Sequence, residues 1–306
     1  MTGRLRIGTR GSPLALAQTE LVVRGLRRFA PRTTYEIVPI STRGDRIRRS
    51  APALDFTDEI DRQLESGAID LAVHSAKDLP ARPQRAVHVA AYPRRADPRD
   101  CLVLRSAGAF ASLPRGARIG SSSLRRRAQL LSERPDIEVV PLRGNVGTRL
   151  EQVRAGGLDG VMLAAAGLER LGWGDRITEY LPLSRWLPAP AQGTLAVEVR
   201  DRDREAHRAV VRLDHAPTRA AAEAERAVVR ALGGDCDLPL GALARVRGPR
   251  LTLRAELFSV EGRLRIAADG SGDPGRAVRI GERVGSALRT IGGPRSDRAR
   301  ERRRGS

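Results

Sequence analysis

The chain has 306 residues, with 55 Lys and Arg against 36 Asp and Glu, a formal net charge of +19 and 41% hydrophobic residues. This length predicts two or three domains, each able to bury a core, and the spread of apolar residues along the chain excludes general disorder. No apolar run approaches the ~18 residues of a membrane span, and the first residues lead into a strand without a signal segment, so we expect a cytoplasmic protein.

The cysteines and the basic residues narrow the function classes further. Two cysteines exclude a disulfide scaffold, and no Cys/His cluster has zinc-ligand spacing, so we predict no metal site. The basic excess suggests a nucleic-acid binder, but two Trp, three Tyr and four Phe leave little for base stacking. The excess is almost entirely arginine, and Lys77 is the one lysine. A position that is still lysine in such a chain is a candidate for specific chemistry.

The first part of the chain predicts a β-loop-α-β-loop-α-β unit. Strands are predicted at 5–9, 35–40 and 69–74, with helices at 13–29 and 54–65. Each strand runs into a polar turn, and Pro13 suits the first turn of its helix.

The same order then returns along the chain. Predicted strands at 118–121, 137–142 and 158–163 repeat the first three, and polar turns again follow them. A Pro-rich crossing at 187–193 leads to a strand at 195–199 that rejoins the first domain. Alternating strands and helices of this kind predict parallel α/β layers.

After Pro217 the sequence no longer follows the repeated order of strands and helices. An alanine-rich helix, 218–232, ends at two glycines, which is a sound helix stop. The remaining predicted elements are strands at 240–246, 251–258 and 264–268 and a helix near 280–290. We therefore predict an α/β fold class, with two similar periplasmic-binding-protein-like α/β domains flanking a cleft and a small C-terminal α+β domain. We predict domain 1 at 1–93 and 194–212, domain 2 at 99–188, domain 3 at 216–293 and a disordered basic tail at 294–306.

The polar turns carry the candidate site. In open parallel sheets ligands bind outside the carboxyl ends of the strands, where these turns lie. Their arginines, hydroxyls and helix N-termini favour carboxylates or phosphates. A single Arg-Gly turn is more often solvated surface, but recurrence at equivalent strand ends favours a polyanion cleft. The turn residues are Arg10, Ser12, Arg43, Ser75, Lys77 and Asp78 from one domain and Ser121, Ser122, Ser123, Arg125, Arg126, Arg143 and Arg149 from the other.

Cys236 lies in a Gly-rich polar loop between Asp235 and Asp237. Neighbouring negative charge raises a thiol pKa, which does not suit a nucleophile used in every turnover. Such a cysteine suits a permanent thioether anchor that forms once. Cys101, at the head of an apolar strand, is expected to be an inert buried side chain.

Several long motifs follow one another along the chain: Arg6–Gln18, Val73–Pro80, Asp97–Asp100, Gly120–Arg126, Leu142–Leu150 and the Cys236 loop. In this order they resemble the porphobilinogen deaminase family. The similarity covers about residues 4 to 245 and weakens after that. The resemblance implies a transferase of haem biosynthesis that joins four porphobilinogen molecules head to tail, with loss of ammonia, into hydroxymethylbilane. It also implies a dipyrromethane cofactor, held by a thioether to Cys236, on which the chain grows.

The resemblance also implies roles for the turn residues. Asp78 matches the family's catalytic aspartate, expected to assist ammonia departure and to stabilise positive charge on pyrrole nitrogens. The residues expected to bind the cofactor, besides Cys236, are Lys77, Ser75, Ser122, Ser123, Arg125, Arg126 and Gln192. Those expected to bind substrate are Arg10, Ser12, Arg143, Arg149 and Arg170. No metal, membrane or nucleic acid is implied, and the family resemblance favours a monomer.

The chain departs from the family pattern at several positions. The stretch Pro52–Phe56 replaces a Gly-Lys-Gly-Leu-Phe loop expected to cover the active site, with Ala53 and Asp58 where lysines are common. Ala191 and Asp235 stand where glycine is usual. Neither Asp78 nor Cys236 is affected, so enzyme activity is the main hypothesis.

Two other function classes remain open at this point. Two α/β lobes around an anion cleft also describe periplasmic-type solute receptors, although such a receptor has no use for the Cys236 loop. The charge alone suggests a nucleic-acid binder, whose binding would fall steeply with salt.

Overall fold

The computed structural model describes residues 3–41, 57–81, 86–234 and 238–301. Its strands are β1 (Arg4–Arg10), β2 (Thr34–Ile40), β3 (Leu71–Ser75), β4 (Val87–Ala91), β5 (Asp100–Leu104), β6 (Arg118–Gly120), β7 (Glu138–Val140), β8 (Gly160–Ala164), β9 (Glu179–Tyr180), β10 (Leu195–Arg200), β11 (Leu240–Arg247), β12 (Arg250–Phe258) and β13 (Arg265–Gly272). Its α-helices are α1 (Pro13–Arg27), α2 (Asp58–Glu65), α3 (Leu124–Glu133), α4 (Val146–Arg154), α5 (Ala165–Arg170), α6 (Arg204–Val210), α7 (Ala216–Ala231) and α8 (Ala277–Glu301).

The chain divides into two compact units. The first comprises Met1–Pro98, Ala164–Asp175 and Gln192–Arg219, and the second comprises Arg99–Leu163, Arg176–Ala191 and Ala220–Ser306. The second unit holds most of the predicted second and third domains, each with its own sheet, whereas Ala164–Asp175, predicted for the second domain, belongs to the first unit. The finer boundaries of three domains stay a prediction.

A mixed five-stranded sheet forms the centre of the first unit, in the order β2-β1-β3-β10-β4. Strands β2 and β3 run parallel to β1, whereas β10 runs antiparallel to both β3 and β4. The core is formed by apolar side chains of β1, β3 and β10 packed against the inner face of α1, including Ile7, Leu26, Leu71 and Val197. The return of the chain through β10, predicted from the sequence, is therefore confirmed.

The second unit repeats this topology in the order β7-β6-β8-β5-β9. Strands β6, β7 and β8 take the places of β1, β2 and β3, and β5 and β9 take those of β10 and β4. Gly8 in β1 and Gly120 in β6 occupy equivalent positions. A Cβ atom at either would lie 2.2 Å from a leucine or isoleucine methyl group, Ile69 in one case and Leu142 in the other. In both sheets the repeated Arg-Ile-Gly sequence therefore places a glycine where a neighbouring apolar side chain approaches the strand closely. The repeated strand order confirms the predicted α/β fold class with two similar sheets.

The C-terminal part is a three-stranded antiparallel sheet, β11-β12-β13, with α7 and α8 on one face. Its core joins Val228 of α7, Leu251 and Leu253 of β12 and Ile280 and Val284 of α8. This is the predicted small α+β domain.

The last helix, α8, runs to Glu301, past Gly292, Gly293 and Pro294. Residues 302–306 lie outside the described part of the chain. The disordered basic tail expected at 294–306 stays a prediction.

Among the described residues, no helix is long and apolar enough to cross a membrane.

Candidate functional site

In the first unit, two of the predicted turns follow β1 and β3. Arg10 is the last residue of β1 and is half-buried. Ser12 is the N-cap of α1, where its hydroxyl accepts a hydrogen bond from the backbone N–H of Ala15 at 3.3 Å. This cap satisfies one of the unpaired N–H groups of the first helical turn and fixes how the chain leaves β1.

The turn after β3 presents the predicted catalytic aspartate. Ser75 ends the strand and is joined to the amide of Gln18, whose Nε2 lies 3.0 Å from the Ser75 hydroxyl. Ala76 to Asp78 form one turn of 3₁₀ helix, anchored by the backbone N–H of Ala76 on the carbonyl of Thr194 at 2.9 Å. Ala76 is buried, Lys77 is half-buried and Asp78 is exposed. A rigid, buried base thus holds the Asp78 carboxylate where it can meet a ligand.

Three titratable groups lie buried directly below this turn. The Nε2 atom of His74 lies 3.3 Å from Glu198 Oε2 and 4.0 Å from Asp61 Oδ1, so β3, β10 and α2 each contribute one group. Ligand atoms of the three residues all lie within 4.8 Å of one another. Burial and the positive charge of Arg10 lower the pKa of His74 to about 4. We therefore expect a neutral imidazole at pH 7.

Arg170 and Gln192 also belong to the first unit. Arg170 ends α5 and donates from Nη2 to the carbonyl of Gly193 at 2.7 Å. Burial lowers its pKa to about 10, because the charged guanidinium has lost part of its hydration. Gln192 is fully buried, and its Nε2 donates to the carbonyl of Pro98 at 2.8 Å. These contacts fix the crossing segment, and the predicted contacts of both residues with cofactor and substrate stay predictions.

In the second unit, the serines after β6 shape the start of α3. Ser123 is the N-cap, and its hydroxyl accepts from the backbone N–H of Arg126 at 3.4 Å. The Ser122 hydroxyl accepts from the backbone N–H of Leu142 at 2.8 Å and also donates to the carbonyl of Leu142. Ser122 therefore ties the turn after β6 to the turn after β7.

Arg125 and Arg126 share one buried carboxylate, that of Asp100. Arg125 Nη1 lies 2.6 Å from Asp100 Oδ2 and 2.7 Å from the carbonyl of Leu187. Arg126 reaches Asp100 Oδ1 through Nε at 3.0 Å and Nη2 at 2.8 Å. Two guanidinium groups facing one carboxylate leave a net positive charge in a buried place. This is the arrangement that a ligand carboxylate would neutralise.

The second unit has two further arginines among the predicted residues. Arg143 is exposed in the turn after β7. Arg149, on α4, donates from Nε to the carbonyl of Gly144 at 3.0 Å. Burial and the charge of Arg126 lower the pKa of Arg149, which shows that positive groups crowd this part of the unit. The described residues therefore keep basic groups at the strand ends of both units.

Cys236 lies outside the described residues, as do Asp235, Arg43 and the altered loop Pro52–Phe56. Their predicted roles are not tested by the structure.

Sequence reasoning missed the groups that support the site from below. Asp100, Asp61 and Glu198 are buried carboxylates that received no role. The Asp97–Asp100 stretch did stand out as a motif. That motif is recognisable by its sequence and by its place among the other motifs, and neither shows that the Asp100 side chain faces the core.

Two models of a known protein family match most of the chain. The family model described as "Porphobilinogen deaminase, dipyromethane cofactor binding domain" matches residues 5–208, and "Porphobilinogen deaminase, C-terminal domain" matches residues 220–290. The chain belongs to the porphobilinogen deaminase family. A porphobilinogen deaminase of Syntrophus aciditrophicus is 43% identical over 295 residues, covering 94% of this chain and 96% of that protein. One of Xanthomonas campestris pv. campestris is 46% identical over 290 residues, covering 93% and 95%.

Among solved structures, the methionine-binding protein MetQ has a TM-score of 0.47 and 9% identity, covering 69% of this chain and 89% of that one.

The side chains present fit the carboxylate-rich cofactor of the family. The Nε atom of Arg125 is buried and has no hydrogen-bond partner among the described residues. Arg149 and Arg170 have pKa values lowered by burial, so an added carboxylate would stabilise their charged forms. Guanidinium groups, serine hydroxyls and a helix N-terminus are the donors that such a group requires.

Proposed function

We propose that this chain is a hydroxymethylbilane synthase. It joins four porphobilinogen molecules head to tail, releasing ammonia at each coupling, on a dipyrromethane cofactor attached to Cys236 through a thioether. When bound, the cofactor supplies the terminal pyrrole carbon that accepts the next ring. The observation that carries the proposal is the family match along nearly the whole chain, with Asp78 exposed on an anchored turn at the end of β3.

The arginines of both units account for binding. Each pyrrole brings an acetate and a propionate, so every coupling adds two negative charges. In the proposal Arg10, Ser12, Arg143, Arg149 and Arg170 hold substrate carboxylates, and Lys77, Ser75, Ser122, Ser123, Arg125, Arg126 and Gln192 hold those of the cofactor. Planar guanidinium groups suit carboxylates because they offer two parallel N–H donors.

Asp78 is the group proposed to act on the reacting atoms. In each coupling the bond between the aminomethyl carbon and nitrogen breaks, ammonia leaves, and that carbon forms a bond to the free α-carbon of the preceding pyrrole, which loses its proton. Positive charge develops on the pyrrole nitrogens as ammonia departs. A carboxylate beside those nitrogens stabilises this charge and accepts their N–H hydrogen bonds.

Three finer statements complete the proposal. The chain works as a monomer, in the cytoplasm, and binds porphobilinogen rather than nucleic acid. The family resemblance supports all three statements, and the small aromatic content of the chain further supports the last.

Substitution of Asp78 tests the proposed mechanism. Asp78→Asn keeps the shape of the side chain but removes the charge, so we expect turnover of porphobilinogen to fall by about 10²- to 10⁴-fold with little change in KM or melting temperature. Asp175→Asn, at another exposed carboxylate of the first unit, is the matched control and should keep full turnover. Turnover of Asp78→Asn within twofold of the unmodified chain would remove Asp78 from the mechanism.

A further inference from the structure

Two of the four histidines meet at the surface of the first unit, away from the turns described above. His88 lies in β4, His207 lies in α6, and Asp201 directly follows β10. His88 Nδ1 is 2.9 Å from Asp201 Oδ1, and His88 Nε2 is 3.2 Å from His207 Nδ1. The fold brings His88 next to residues more than a hundred positions away in the chain and places two ring nitrogens within hydrogen-bond distance of each other.

The backbone beneath these side chains is well fixed. His88 pairs with Val199 in the β4–β10 ladder, and the N–H of Asp201 donates to the carbonyl of Ala86 at 3.0 Å. Helix α6 is capped by Asp203, whose carboxylate accepts from the backbone N–H of Ala206 at 2.9 Å. Because strand pairing and a helix cap hold all three positions, the side chains are presented in a defined relation to one another.

The carboxylate determines which nitrogen of His88 is available. Ionised Asp201 can only accept, so His88 Nδ1 carries the hydrogen and His88 Nε2 keeps its lone pair. A histidine that ligates a metal usually donates its other ring N–H to a carboxylate in this way. Without a metal ion, His207 Nδ1 donates its hydrogen to His88 Nε2. A bound cation would displace that hydrogen to His207 Nε2, so that His207 Nδ1 supplies a second lone pair.

We propose that His88 and His207 form a surface site for a late first-row divalent metal ion such as Zn²⁺, with Asp201 as the positioning carboxylate. With metal–nitrogen bonds of 2.0–2.1 Å, nitrogens 3.2 Å apart subtend an angle of about 100° at the metal, close to tetrahedral. Imidazole nitrogen suits Zn²⁺, Ni²⁺ and Cu²⁺ and not Mg²⁺.

Exposure makes the site accessible. The side chain of His88 is 38% exposed and that of Asp201 is 49% exposed, so the ion can enter from solvent and water can complete its coordination. A bound ion would link β4 to α6 and stabilise the folded first unit by mass action. The site shares no residue with the proposed catalytic machinery, so it is independent of the proposed function.

Calorimetric titration of the full-length, tag-free chain with Zn²⁺ tests the site. We expect one saturable site that His88→Ala and His207→Ala each abolish, and that Asp201→Asn weakens by about 10- to 100-fold. The melting temperature should rise with Zn²⁺ in the unmodified chain, stay constant in the two histidine variants, and stay constant with Mg²⁺ throughout.

His215→Ala is the matched control, because His215 contacts Thr218 at 2.9 Å and lies outside the pair. It should bind Zn²⁺ as the unmodified chain does. The proposal is overturned if the unmodified chain shows no saturable Zn²⁺ binding. Asp201, His88 and His207 would then be linked by hydrogen bonds only. It is equally overturned if the double variant His88→Ala/His207→Ala keeps the site.

Discussion

His74 illustrates how burial sets the charge of a single side chain beside the proposed catalytic turn. It is 5% exposed, and its pKa is lowered to about 4 by burial and by the charge of Arg10. Glu198 and Asp61 approach the same ring from two other elements. The sequence placed His74 at the end of a strand and gave it no role as a base, and its burial in the first unit agrees with that interpretation.

The neutral state of His74 has a measurable cost at acidic pH. The pKa of His74 is 6.5 in the unfolded chain, the ordinary value for histidine, and about 4 in the folded chain. Between these two pH values the unfolded chain binds a proton at His74 that the folded chain does not. Stability therefore falls as the pH falls through this window, by about 2 kcal/mol between pH 7.5 and 5. Urea unfolding at a series of pH values should show that His74→Asn reduces this pH dependence.

An NMR titration of the His74 ring is the direct check on this expectation. A ring still protonated at pH 7 would show that the two carboxylates outweigh burial, and the prediction would then be wrong.

At the residue scale, the sequence located polar residues in the turns because their spacing after apolar strands is visible, while their binding roles stay predictions. It identified Lys77 and Asp78 by composition and motif. It could not identify Asp100, because a one-letter code does not distinguish a carboxylate that faces the core from one that faces water. The contacts of Asp100 become visible only when α3 is docked against β5.

At the scale of elements, the start of α3 depends on Asp100. Its carboxylate is fully buried and pairs with Arg125 and Arg126, which lie in the first turn of the helix. The ion pair between Arg134 and Asp136, just after the other end of the same helix, is partly exposed. The Arg134 guanidinium lowers the pKa of Asp136 to about 2. The two sites allow a buried ionic cluster to be compared with a surface one.

Substitution of these two aspartates should have very different effects. Asp100→Ala leaves two guanidinium groups buried without their carboxylate, so we expect a loss of about 3–5 kcal/mol in the free energy of unfolding. Asp136→Ala removes a surface ion pair and should cost no more than about 1 kcal/mol. Chemical denaturation of both variants at pH 7 measures the difference. Equal, small losses would show that Arg125 and Arg126 are rehydrated and do not depend on Asp100.

Helix α7 also positions a connection, through Glu225. Its buried carboxylate accepts the backbone N–H of Ala244 at 2.7 Å and that of Ala191. Ala191 has a φ of +61°, a left-handed conformation in which glycine carries less strain. The sequence noted Ala191 as a departure from the family glycine, and the structure shows that the backbone there keeps the conformation that glycine would favour.

At the scale of the molecule, the internal repeat predicted most of the fold. Strands separated by helical segments, met twice in the same order, specify two sheets with the same strand order. The end of α8 at Glu301 was not predictable in this way, because Gly292, Gly293 and Pro294 are residues that normally end a helix.

The net charge of +19 takes on a different meaning once the arginines are placed in the fold. Some lie at the strand ends of both units, where they are buried or crowd one another, as Arg125, Arg126 and Arg149 do. Others form ordinary surface ion pairs. A carboxylate-rich small molecule accounts for the first group without nucleic acid.

Intact-mass spectrometry of the purified chain, paired with a porphobilinogen consumption assay, tests the central claim most directly. We predict a mass above that of the polypeptide by one dipyrromethane unit, absent from Cys236→Ser, together with porphobilinogen consumption and ammonia release by the unmodified chain alone. A bare polypeptide mass in a preparation that also consumes no porphobilinogen would contradict the account.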